Sequence, residues 1–169
     1  MNLYYILYCY ITLTMDNIET FVTITPKIEH KKLIVYIVAN NNEITELRIF
    51  KVIEELKSLF QQIKQNDKVN EFYLVFDITQ FKIPTNFRMF TSVSDLLLES
   101  KSLIVDKLKF SVIQSENNIF KMFFSLFKKY YEPIKPLYLC RTENDTKECI
   151  HSVDSRSNFP NICNILSSE

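Results

Sequence analysis

Apolar residues along this chain fall into two alternating kinds of block: short continuous runs, and longer stretches with helical spacing. Leu33–Ala39 (LIVYIVA), Phe72–Ile78 and Leu108–Ile113 (LKFSVI) are runs of strand length, as expected of strands covered on both faces. Glu19–Thr25 (ETFVTIT) instead alternates with a period of two, which predicts a half-buried strand ended by Pro26. Between the runs, Ile49, Ile53, Leu56, Phe60 and Ile63 repeat at spacings of four and three. That spacing predicts one apolar stripe on a helix capped by Thr45 and running to about Gln65. A second helix is predicted over about 86–103, with Phe90, Val93, Leu97 and Ile104 near its inner face. A third, IFKMFFSLFKKYY, follows Asn117–Asn118 and is stopped by Pro133 and Pro136, since proline lacks the N–H and clashes with the preceding turn. Leu137–Cys140 reads as a short last strand. Thr142, with Asp145 three residues on, resembles the cap of a closing helix through Ile150.

Strands alternating with helices imply an α/β fold, here a mostly parallel sheet of four to five strands joined by crossover helices. A single domain over 19–152 follows, and the Ser/Asn-rich stretch 153–169 reads as a loose tail. Residues 1–18 open with MNLYYILYCYITLTM, an apolar arm or extra strand, unless Met15 is the working start. The Leu3–Leu13 stretch falls short of the ~20 residues that a membrane span needs, and it lacks the marks of a signal peptide.

Composition narrows the chemistry. The chain has 169 residues, a formal net charge of zero and no glycine. Without a basic excess, sequence-independent nucleic-acid binding is not expected. Without glycine, phosphate-cradling loops, dinucleotide fingerprints and glycine-flanked nucleophile elbows are excluded. Richness in Asn, Ile, Lys, Phe and Tyr suggests an AT-rich genome, such as that of a large DNA virus or a protist. Cys9, Cys140, Cys149 and Cys163 form no CxxC pair, and His30 and His151 lie far apart. No metal site or cofactor is therefore expected, and the thiols read as free in a reducing, cytoplasmic compartment (the host cytoplasm if the gene is viral).

FYLVFDITQF, then a helix, then LKFSVIQSENNIFKMFFSLFKKYYEPIKPLYLC, resembles the core shared by STAS (SpoIIAA-like) and CRAL-TRIO domains over about 20–152. Both have a strand ending in Asp, a helix, a strand, a loop, a helix and a further strand. The STAS resemblance implies a non-catalytic protein-interaction module, with Thr85 in KIPTNF nearest to that family's phosphorylated position. The CRAL-TRIO resemblance implies lipid bound in an apolar pocket, with NNIFKMFFSLFKKYYEPIKPL similar to a segment of that family.

Asp77 and Thr79 end the strand where open α/β sheets bind ligands. A carboxylate there also accepts backbone N–H bonds from the next turn, and no His or Lys is visibly paired with it for base chemistry. The expected role is turn-stabilising first and functional second. On the Phe-rich helix, Phe120, Phe123, Phe127 and Tyr130 are predicted to share the core face. Phe124 and Tyr131 lie to one side; the first reading is a broad core face against the sheet, and the sharper one is that surplus aromatics form a partner or lipid surface. The candidate interaction surface is thus Asp77, Thr79, Thr85, Phe87, Phe124 and Tyr131. A protein partner is expected, a lipid is the alternative, and an enzyme is the weakest reading.

Overall fold

The computed structural model describes residues 22–29, 32–40, 45–80, 88–116, 124–154 and 164–167. Among them are strands β1 (Val22–Glu29), β2 (Lys32–Ala39), β3 (Phe72–Asp77), β4 (Leu108–Gln114), β5 (Leu137–Cys140) and β6 (Asn164–Ser167). The helices are α1 (Glu46–Gln65), α2 (Arg88–Glu99), α3 (Lys101–Lys107) and α4 (Glu143–Asp154), with a single helical turn at 124–127. The apolar arm, Met15, Thr85, Phe87, Phe120 and Phe123 lie outside the described residues.

The strands form one six-stranded sheet in sequence order. β2, β3, β4 and β5 pair in parallel, whereas β1–β2 and β5–β6 are antiparallel edges. The α/β class and the parallel centre thus agree with the sequence, but the sheet is larger than expected. Its last strand comes from the stretch read as a loose tail, where Ile165 sits opposite Tyr138. At the other edge, β1 continues through Pro26 rather than ending there. Among the described residues β1 pairs with β2 alone, and an edge strand tolerates a residue without an N–H.

A chain that steps one strand over in one direction, with crossovers of one hand, must place its connecting helices on one face. The side chains agree. Leu33, Val35 and Ile37 of β2, with Phe72 and Leu74 of β3, share a core with Ile53, Leu56, Phe60 and Ile63 of α1. Leu96, Leu103 and Ile104 from α2 and α3 belong to the same core, and Phe124 covers Ile113, Leu137 and Leu139 further along. The opposite face carries Ile34, Tyr73, Val75, Phe110, Val112, Tyr138 and Cys140 beneath Cys149 and Ile150 of α4.

β4 reaches both layers through a bulge. Phe72 pairs with Leu108 and Leu74 with Ser111, so β4 spends one extra residue there. Simple alternation from Leu108 would send Phe110 and Val112 towards α1. The extra residue turns them to the α4 face, where Phe110 meets Tyr73 at 4.9 Å and Tyr138 at 5.3 Å between ring centroids.

Thr45 caps α1 as its position predicts, accepting the Arg48 N–H at 3.3 Å. The predicted helix 86–103 is instead two, α2 and α3, meeting at Ser100 and running on to Lys107. That extension has a use. The Lys107 ammonium donates to the carbonyls of Ile63 at 3.0 Å and Asn66 at 3.1 Å, and to that of Lys64 at 3.4 Å. These groups end α1, where carbonyls lack intrahelical partners and the helix dipole favours a cation.

Lys107→Met keeps much of the apolar stem but removes these donors. It is expected to lower stability by about 1–2 kcal/mol, read as a lower urea midpoint at unchanged slope. An unchanged midpoint would show that this lysine does not support the end of α1.

Candidate functional site

Phe76 and Ile78 point to the face that carries the crossover helices, and they floor an apolar cleft of about 220 Å³. Leu74 of β3, Ser111 and Ile113 of β4, and Leu137 of β5 complete the floor. One wall is Phe90, Val93 and Leu97 of α2 with Ile104 of α3, the positions that helical spacing marks as inner. The other wall is Phe124, Phe127 and Tyr131, continued by Pro133, Ile134 and Lys135.

Among the described residues, the last crossover covers the sheet with one helical turn and the segment that follows it. Beyond the turn at 124–127, the Lys129 N–H reaches Leu126 and the Tyr130 N–H reaches Phe127, both three residues back. This tighter winding shifts the aromatic faces from their helical positions. Tyr130 is 44% exposed, while Phe124 and Tyr131 are buried. Phe124 and Tyr131 turn inward and line the cleft, in keeping with the broad core face rather than an exposed aromatic patch. Tyr130 lies over Phe90 in a stacked pair with centroids 5.8 Å apart, and Phe127 contacts the same ring at 5.8 Å. These rings bridge the two walls. Burial pushes the Tyr131 phenol above its usual pKa, partly offset by a hydrogen bond with the Ile134 backbone.

Asp77 belongs to the other side of the sheet, in step with Tyr73 and Val75. Its Oδ1 accepts the Thr79 N–H at 3.1 Å and the Thr79 hydroxyl at 2.7 Å, the Asx turn expected of a strand-ending aspartate. Its Oδ2 accepts from Gln114 Nε2 at 3.2 Å, and the Thr146 hydroxyl lies 3.1 Å from Gln114 Oε1. Thr146 follows the predicted cap of α4: the Asp145 N–H donates to Thr142 Oγ1 and the Thr142 N–H to Asp145 Oδ2. The chain thus joins a strand end to a helix through three polar side chains. Arg88, near Asp77 in sequence, pairs with Glu46 at 3.0 Å.

A second polar group lies at the other end of α4. Glu29, Lys32, Lys147 and His151 surround a hollow of about 10 Å³, the size of one water molecule. Beside it, burial and then the charge of Glu29 push the Tyr36 phenol up to about 12. No group of three or more His, Cys, Asp or Glu able to hold a metal occurs among the described residues. Cys140 and Cys149 are buried, unbridged thiols in the α4 layer. No described helix is long and apolar enough to cross a membrane.

Asp77 and Thr79 therefore do not meet Phe124 and Tyr131; the sheet separates them. Lys135 is the cleft residue that pattern reading missed. Its signal is the segment PIKP, in which two prolines fix the chain on either side of it.

The Asp77 chain makes an unequal prediction. Thr146→Val leaves buried Gln114 without its donor and is expected to cost about 1–3 kcal/mol. Gln114→Leu is expected to cost less, because the single Thr146 O–H can then turn to the Thr142 carbonyl at 3.0 Å and half-buried Asp77 reaches water. Denaturant titration of both variants checks the order, and a reversed order would refute it.

Comparison with protein-family models, with curated proteins and with solved structures finds no match to this chain, so a functional argument rests on its own site.

Proposed function

We propose that this chain is a non-catalytic α/β binding module whose cleft takes a small apolar ligand. This reading lies closest to the lipid-binding side of the CRAL-TRIO resemblance. The observation that carries it is the 220 Å³ cleft walled by α2, α3 and the aromatic segment that ends in Tyr131. A cavity of about 150 Å³ lined by Leu, Ile and Phe stays dry and holds benzene, so scaling by volume leaves room for about eight or nine carbon atoms. Each buried methylene contributes about 0.8 kcal/mol, and an eight-carbon chain gains roughly 6 kcal/mol before the cost of association. That gain alone corresponds to a dissociation constant of tens of micromolar, and the cost of association weakens it to about millimolar or beyond. Asp77 supports the non-catalytic part of the reading, since both its oxygens serve the turn and Gln114.

Leu97 is half-buried on the cleft wall, so a larger side chain there fills the cleft without entering the deep core. Leu97→Trp is expected to abolish saturable binding of eight-carbon ligands, measured by displacement of an environment-sensitive fluorophore, while melting stays cooperative. Equal binding by native protein and variant would rule out the cleft as the site.

The STAS-like reading, a protein-interaction module, has separate support. Leu47 and Phe50, one turn apart at the start of α1, are 66% and 62% exposed. A partner captured by the native protein and lost on Leu47→Asp with Phe50→Asp would favour it; a monomer that captures none would remove it.

A further inference from the structure

The cleft is apolar except at one rim. Among its described lining residues, Lys135 is the one with a charged side chain. It is half-buried, and no carboxylate pairs with it among the described residues. An ammonium without a carboxylate partner among the described residues favours an anion brought to it. Pro133 and Pro136 bracket Ile134 and Lys135 and restrict the backbone there.

Resting on the cleft reading, we propose that the ligand is a single-chain monocarboxylate of medium length. Its tail lies over Phe76 and Ile113, and its carboxylate pairs with Lys135. The charge count selects this class. The single cation among the described lining residues complements one negative charge, whereas a phosphate monoester carries nearly two. The volume sets the length, since about eight or nine carbons fill 220 Å³ and the long chains of membrane lipids exceed it.

The test compares octanoate with methyl octanoate, which keeps the tail and removes the charge, by fluorophore displacement on the full chain. Native protein should bind octanoate about tenfold more tightly than the ester, the worth of one charge-assisted contact. That gap should fall to about twofold or less in Lys135→Met, return in Lys135→Arg, and shrink with added salt in the native protein. Equal binding of acid and ester by native protein, or a gap that survives Lys135→Met, would overturn the carboxylate assignment and leave the cleft reading standing. Absence of saturable binding by either ligand would defeat the cleft reading and this inference together. The salt series uses the native chain, so the carboxylate arm stays testable even if Lys135→Met unfolds.

Discussion

Parallel pairing that always steps the same way is the constraint on which this structure depends. β2, β3, β4 and β5 lie side by side in chain order, so each connection must travel back along the sheet before the next strand begins. Crossovers of one hand place those connections on one layer. The layer is then only as complete as its covers. α1, with twenty residues, buries a full stripe against β2 and β3. The final crossover offers one helical turn among its described residues and then two prolines, and the apolar floor beside it stays partly open.

The opposite layer solves a different problem, because only α4 covers it among the described helices. Two devices make that sufficient. The extra residue in β4 brings Phe110 between Tyr73 and Tyr138, making a row of edge-packed rings across β3, β4 and β5. Such edge-to-face contacts add about 0.5–1.5 kcal/mol each beyond the area they bury. The polar chain from Asp77 through Gln114 to Thr146 then gives α4 a directional anchor. Apolar contacts alone would tolerate a shifted helix, but hydrogen bonds do not.

Much of this architecture is legible in the sequence, for a physical reason. Runs such as LIVYIVA and the four-and-three spacing in α1 record burial directly, and burial is what strands and helices share with the pattern. The Thr45 cap, the Thr142–Asp145 pair and the turn at Asp77 are legible too, because each is a local contact between residues a few positions apart. What escapes is non-local or geometric. Strand β6 depends on partners in β5, and its four residues carry too little pattern to reveal themselves. The bulge in β4 is a matter of register. Tyr130 and Tyr131 exchange expected roles where the Lys129 and Tyr130 N–H groups bond three residues back instead of four, which no apolar count registers. The cleft residues of α2 are visible as an inner face, yet the sequence does not distinguish a face that meets a neighbour from one that meets a gap.

Pro26 sits midway along an outer strand that otherwise has every property of a good template, with alternating Val22, Ile24 and Ile28 and a regular register against β2. An incoming chain that tried to extend the sheet along this rim would meet a missing donor and a ring in place of an amide. One imino acid thus makes this strand a poorer template for strand addition.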